Sequence, residues 1–305
     1  MKHLYPTYYE RFRCIAAACP DSCCQGWDVV IDSDTEAFYN TVQGELGEKL
    51  RAAIYTDADG DRVFHLAAQK KCPFWGDDKL CDIYRALGEE HLCATCAQFP
   101  RITMDYTTFT EHTLALACPE AARLILNTEN AYADFTDTDF ETCEDYSAQV
   151  MRRLLDARAK AAELLTADLS LSERLDRLIA FAQEVQRSLT GESRGIAELS
   201  PERYGGLEYI DEQSRDQITR AARMEPDFLC YKIELTNLAL YWLYRYFLGA
   251  IDTLDVIAPI RFLISSVKVV SNLAKESGDV TAAAQLYSKE IEQSYENMEQ
   301  LNRSL

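Results

Sequence analysis

The sequence lacks any run of about eighteen apolar residues free of charge, which is what a membrane-spanning helix requires. Its densest apolar stretch, Phe228 to Ala250, contains Lys232, Glu234 and Arg245 and reads as a buried helix. The opening residues Met1-Lys2-His3-Leu4-Tyr5-Pro6 lack the apolar core of an export signal. The expected location is therefore the cytoplasm, with no membrane partner. Positive charge is also short: 31 Lys+Arg against 50 Asp+Glu leave a net charge of −19. Such a field repels phosphate backbones and argues against nucleic acid, while it attracts cationic partners such as lysine-bearing peptides. No glycine-rich nucleotide loop of the Gly-x-Gly-x-x-Gly type is present and no βαβ alternation appears, which argues against a Rossmann-type site. The four histidines, His3, His65, His91 and His112, are too dispersed to suggest a relay.

Cysteine, by contrast, is abundant. The chain has 11, and without an export signal they are expected to stay reduced. Nine fall between Cys14 and Cys118, while Cys143 and Cys230 stand alone. Scattered core cysteines would not crowd into the first two fifths of a chain. Metal ligation is the better account.

Local signals predict a mostly α protein in two parts: a cysteine-rich α+β metal-binding region over residues 1–126, with short strands and a hairpin, and an α-helical bundle over residues 146–305. An acidic linker, residues 127–145, is expected between them, bearing Asp134, Asp137, Asp139, Glu141, Glu144 and Asp145. In the first part Val29-Val30-Ile31 is β-prone, and Asp32-Ser33-Asp34 offers caps for a helix through Phe38 and Tyr39. Asp59-Gly60 marks a hairpin turn between Ile54-Tyr55 and Val63-Phe64. The string Asp57 to Asp61 superficially resembles a calcium loop, but its glycine comes fourth and not sixth, so it reads as a plain turn. Pro119 opens a helix. In the second part Ser170 and Glu173 form a capping-box pair, Ser200-Pro201 opens a helix, and another is expected from Asp227 through Leu243 with apolar residues on most sides.

The cysteines are spaced Cys14-x4-Cys19-x3-Cys23-Cys24, then Cys72-x8-Cys81-x11-Cys93-x2-Cys96, with Cys118 just before Pro119. Clustered thiolates suit zinc and iron–sulfur clusters and disfavour oxygen-preferring ions. Zinc normally takes tidy pairs, and only Cys93/Cys96 is one. The radical-SAM spacing Cys-x3-Cys-x2-Cys is not met, because Gly26 occupies the third place after Cys19 and Cys23. A bacterial ferredoxin run is absent too. Spacing alone leaves iron–sulfur, zinc and metal-free thiols open.

Five ordered motifs carry a family resemblance. They are Phe12-Arg13-Cys14 with Cys19-Pro20-Asp21-Ser22-Cys23-Cys24-Gln25-Gly26-Trp27; Cys72-Pro73-Phe74; Leu80-Cys81-Asp82-Ile83; Cys96-Ala97-Gln98-Phe99-Pro100-Arg101; and Ala117-Cys118-Pro119-Glu120-Ala121. Together they resemble the flagellin lysine-N-methylase family, and are similar to a broader zinc- or iron-chelating group with a Cys-Cys pair. The resemblance covers residues 12 to 121. It implies methyl transfer from S-adenosylmethionine to lysine ε-amines of a flagellin-like protein, with an iron–sulfur cluster, the 4Fe-4S type favoured over zinc. Carried over by position, the metal-ligand candidates are Cys14, Cys19, Cys23, Cys24, Cys72, Cys81, Cys96 and Cys118, with Cys93 set aside as a spare thiol. Eight thiols exceed the four that one cubane cluster takes.

Moving a methyl group onto lysine needs a neutral amine, so a site must lower its pKa or supply a base. Polar candidates beside the cysteines are Asp28, Asp82, Tyr84 and Arg101, the carboxylates also reading as caps or salt-bridge partners and Tyr84 as packing. Arg101 could hold the donor's carboxylate. His91, two residues before Cys93, reads as a surface or packed side chain more readily than as a metal ligand. Trp27 and Trp75 are read as shields that keep water from the thiols. The rival reading is a non-catalytic zinc- or iron-chelating module for binding or sensing, its helical part docking a partner.

Overall fold

The structure is a computed structural model that describes residues 1–67, 70–136, 140, 142–192, 195–196 and 198–302. It is mostly helical with a few short strands, as expected. By compactness the chain divides into Arg13–Ile102 and a larger unit made of Met1–Phe12 with Thr103–Leu305. The smaller unit is thus an insertion in the sequence of the larger one.

In the smaller unit, strands β2 (Ile54–Thr56) and β3 (Arg62–Phe64) form the expected antiparallel hairpin, with Tyr55 opposite Val63. The Asp57 to Asp61 segment is a plain turn: the Asp57 carboxylate accepts the backbone N–H groups of Asp59 and Asp61 at 3.0 and 2.9 Å. Val29 and Ile31 are buried and Val30 is exposed, the alternation of an extended segment. That segment runs beside β3, the Ile31 N–H donating to the Arg62 carbonyl at 2.7 Å. Asp32 caps the helix Ser33–Tyr39 by accepting from the Thr35 N–H at 2.9 Å. With the helix Gly44–Ala53, these elements enclose a small core of Val29, Ile31, Tyr39, Leu50, Phe64, Phe74 and Ile83.

The larger unit carries a three-stranded sheet of β1 (Lys2–Leu4), β4 (Arg101–Asp105) and β5 (Phe109–Leu114) in the order β1-β5-β4. β1 lies parallel to β5, with His3 opposite Thr110. This pairing, missed in the sequence, ties the first residues to the helical unit. The helix Pro119–Leu126 has Pro at its start as expected, and Ser170 and Glu173 form a complete capping box on Leu171–Thr190. The helix Ile257–Ser277 packs against Val280–Tyr287, Lys232–Tyr246, Glu212–Ala222 and Leu171–Thr190. By length and composition it could cross a membrane, yet most of it is buried in this core.

Two expectations need correction here. The helix expected from Asp227 begins only at Lys232, because Tyr231 takes a left-handed conformation with φ 58° and breaks the chain direction. Leu229 is left 82% exposed, so the segment before the break lies outside the core. The acidic stretch 127–145 is not simply a linker where it is described. Ala131, Tyr132 and Phe135 belong to the helical core, and the Tyr132 and Tyr8 hydroxyls bond at 3.0 Å. Asp137, Asp139 and Glu141 lie outside the described residues.

One buried ion pair braces this unit. Arg158 donates to both carboxylate oxygens of Glu111 at 2.7 and 2.5 Å, with both side chains essentially inaccessible. The guanidinium also sits 4.6 Å from the Tyr244 ring centroid. A charge buried this deeply is tolerated only when paired and hydrogen-bonded.

Candidate functional site

The folding of the smaller unit explains why its dispersed cysteines meet. The Cys72 N–H donates to the Cys24 carbonyl at 2.8 Å, which joins the first cysteine group to the second across a long stretch of chain. Between Cys72 and Cys81 the chain reverses in a tight turn. Gly76 and Leu80 close it at 2.9 Å, and Trp75 bridges to Cys81. Cys81 precedes the helix Asp82–Leu87, and Cys93 precedes the helix Ala94–Gln98, which contains Cys96. Two bonds dock that last helix onto the core: the Ala94 N–H donates to Asp32 at 2.9 Å, and the Thr95 hydroxyl to the Val30 carbonyl at 2.9 Å. Asp32 therefore serves two helix starts at once.

The result is one small apolar cluster in which Cys72 and Cys93 are buried and Cys24, Cys81 and Cys96 pack against it. The thiols act on one another. Cys96 hydrogen-bonds to Cys93, which raises Cys96 far above and lowers Cys93 below the usual thiol range, with burial and the charges of Cys24 and Cys72 raising Cys96 further. A hydrogen bond from Cys23 brings Cys24 down to about 7 against its burial, with the Ser22 hydroxyl helping. Burial pushes Cys72 up to about 12 and also raises Cys81. Tyr39 donates its hydroxyl to the His91 carbonyl at 2.9 Å. Burial and the neighbouring thiols hold that phenol firmly protonated.

The remaining sequence candidates are placed as follows. Cys14 is exposed and its sulfur accepts the Ala16 N–H at 3.4 Å, Cys19 is half-buried, and Cys23 is exposed. Cys118 falls in the larger unit, where it packs against the helical core. Asp28 is exposed. Asp82 is taken up by ion pairs to Lys49 at 3.4 Å and Arg85 at 3.1 Å, the salt-bridging alternative foreseen for it. Tyr84 is 53% exposed, so it does not pack in the core. Arg101 is exposed at the first residue of β4. The Trp27 indole donates to the Cys23 carbonyl at 2.9 Å, and Trp75 lies under the Lys71 ammonium. His91 stacks on Phe38 with centroids 4.0 Å apart, a packed histidine.

Cys93, expected to be a spare thiol, is buried among the other thiols. Its two-residue spacing from Cys96 was the available signal. The histidines, expected to be too dispersed for a relay, include one close pair: the β1–β5 pairing brings His3 and His112 within 3.3 Å. A donor set of thiols alone matches a thiophilic metal in kind. Cys24 hydrogen-bonds to Cys23 and Cys93 to Cys96, and among the described residues no three His, Cys, Asp or Glu side chains are arranged around one metal position.

Comparison with known proteins adds an independent line. The chain is 31% identical over 133 residues to a lysine-N-methylase of Salmonella typhimurium, and 33% identical over 141 residues to one of Salmonella choleraesuis. Each match covers 42% of this chain and 33% of the relative, so the matched part spans about a third of those proteins. It is 30% identical over 133 residues to the flagellar biosynthetic protein FliU of Salmonella muenchen, covering 42% of this chain and 79% of that protein. No family model and no solved structure matches. With a relative covered over most of its length, and the cysteine motifs in order, the chain belongs to the flagellin lysine-N-methylase family.

Proposed function

We propose that this chain is a protein-lysine N-methyltransferase that acts on a flagellin-like substrate, uses S-adenosylmethionine, and carries a thiol-ligated iron–sulfur cluster. The observation that carries the reading is its relation to proteins named lysine-N-methylase. The gathering of Cys24, Cys72, Cys81, Cys93 and Cys96 in one core supports the metal part. These are the residues that would hold the cluster, with Cys14, Cys19 and Cys23 on the adjoining segment. When bound, the cluster supplies redox or Lewis-acid chemistry and S-adenosylmethionine an electrophilic methyl group.

What the chain's own residues contribute follows from their surroundings. The lysine amine must lose a proton before its lone pair can attack the methyl carbon. Asp82 is engaged by Lys49 and Arg85. Tyr39 is kept protonated and occupied by a backbone carbonyl. Asp28 is the exposed carboxylate beside the first cysteine group, and Arg101 has the fork geometry for a donor carboxylate. The net charge of −19 favours a lysine-rich partner.

One observation favours a second reading, a non-catalytic zinc or iron module. Three titratable groups near the thiols, Asp32, Asp82 and Tyr39, are committed to structural bonds. One experiment separates the two. The chain is purified without oxygen, its metal and sulfide are assayed, and flagellin is incubated with it with and without the donor before mass spectrometry. Donor-dependent methyl additions on lysine by a brown, iron-bearing protein are expected, and Cys72→Ser or Cys96→Ser should abolish both colour and methylation. A colourless protein with stoichiometric zinc and unmodified flagellin would establish the second reading instead.

A further inference from the structure

The larger unit holds a second group of metal-competent side chains, unrelated to the thiols. Side chains on a strand alternate between faces with period two. His3 and Tyr5 are therefore spaced to share one face where β1 meets its neighbour. Thr110, opposite His3 in the register, and His112, two residues on, share the corresponding face of β5. The contacts bear this out. His3 Nδ1 and His112 Nε2 stand 3.3 Å apart, and the Thr110 hydroxyl lies 2.6 Å from the first and 3.2 Å from the second. The outer nitrogen of His112, Nδ1, is held by the Thr103 hydroxyl at 3.0 Å. The Tyr5 ring stacks on the His112 imidazole with centroids 4.3 Å apart and planes within 6°, which fixes the plane of that ring.

We propose that His3 and His112 form a binding site for a divalent transition metal of the imidazole-preferring class, zinc, nickel or copper. The first argument is the bite. Two nitrogens bound to such an ion at about 2.0–2.1 Å with a near-tetrahedral angle stand roughly 3.3 Å apart, which is the observed separation. The second is the outer shell. A metal-bound histidine almost always has its other nitrogen held by a hydrogen-bond acceptor, which sets the tautomer. When His112 donates Nδ1–H to Thr103, Nε2 keeps a lone pair facing His3. His3 is exposed, so its own Nε2–H can point to water and Nδ1 keeps a lone pair, which the Thr110 hydroxyl now at 2.6 Å would yield to the ion. The third is class: neutral imidazoles suit zinc, nickel and copper and do not suit calcium or magnesium. Water completes the coordination on the exposed side.

The test uses the full chain, purified without oxygen and with its thiols already metal-saturated, labelled with nitrogen-15 at histidine. The chain has 4 histidines, so each ring can be followed separately. Zinc chloride is the probe. Ring-nitrogen signals of His3 and His112 are expected to move together and saturate, while those of His65 and His91 stay. His112→Asn and His3→Asn should each weaken the response of the remaining ring at least tenfold. Thr103→Ala should weaken it by about tenfold through loss of the outer-shell bond. His3 is an exposed position, so its variant keeps the test valid if His112→Asn folds poorly. Unmoved His3 and His112 signals in excess zinc, or equal shifts at all four rings, would overturn the proposal.

Discussion

Asp32 is one side chain on which two helix starts depend, which makes it a sensitive point of the smaller unit. One carboxylate oxygen accepts from Thr35 and the other from Ala94, the residue after Cys93. Asp32→Ala should lower stability by about 1–2 kcal/mol in urea unfolding, the loss of a cap and a second backbone partner. Asp32→Asn keeps an acceptor oxygen and should lose less. The bond from Ala94, with that from Thr35, holds the Asp32 carboxyl below the ordinary aspartate range. A carboxyl depressed in the folded state contributes stability that is present above its unfolded value, about 3.9, and is lost as pH falls through the lower folded one. Acid titration of the Asn variant should be correspondingly flatter. Residue-scale legibility was uneven here. The cap at Asp32 and the pairing of Cys93 with Cys96 could be read from local spacing. The second bond of Asp32 could not, because Ala94 is 62 residues away and only the fold brings it near.

Among the elements, the left-handed residues show where sequence and backbone disagree. Leu254 ends the short helix Ala250–Thr253 with φ 55°, a conformation that costs a side chain bearing a Cβ about 1–2 kcal/mol. It is 37% exposed, so the packing lost with its side chain would offset part of that strain. Leu254→Gly is therefore expected to leave stability unchanged or raise it by up to about 1 kcal/mol, measured by thermal or urea unfolding; a clear loss would mean that its contacts outweigh the strain. Periodicity, caps and turn residues made the hairpin and the helix at Ser170 legible, since each rests on residues within a few positions. The delayed start at Lys232 was not, because nothing in Phe228 to Tyr231 marks a left-handed turn. The β1–β5 pair was also invisible, being two short strands of ordinary composition more than a hundred residues apart.

For the molecule as a whole, the buried Glu111–Arg158 pair has a large stake in stability. Glu111→Ala would leave a buried guanidinium without its partner, and should cost about 3–5 kcal/mol in chemical denaturation of the full chain. Replacing both residues with apolar side chains of similar volume should recover much of that loss, which would separate the penalty of an orphaned charge from the worth of the pair. Composition announced a cysteine-rich region, whereas the division of the chain was hidden, because a strand of only three residues joins Met1–Phe12 to the later unit. That strand has a further consequence for how the protein is made. β1 is synthesised before the inserted unit but finds its partner only after β5 has followed, with all of Arg13–Ile102 made in between. The inserted unit can collapse into its own core while the helical unit still lacks most of its chain, so it can fold before the host fold is complete. A nascent chain stalled just past Asp105 would carry the whole of Arg13–Ile102 while β1 still waits for β5.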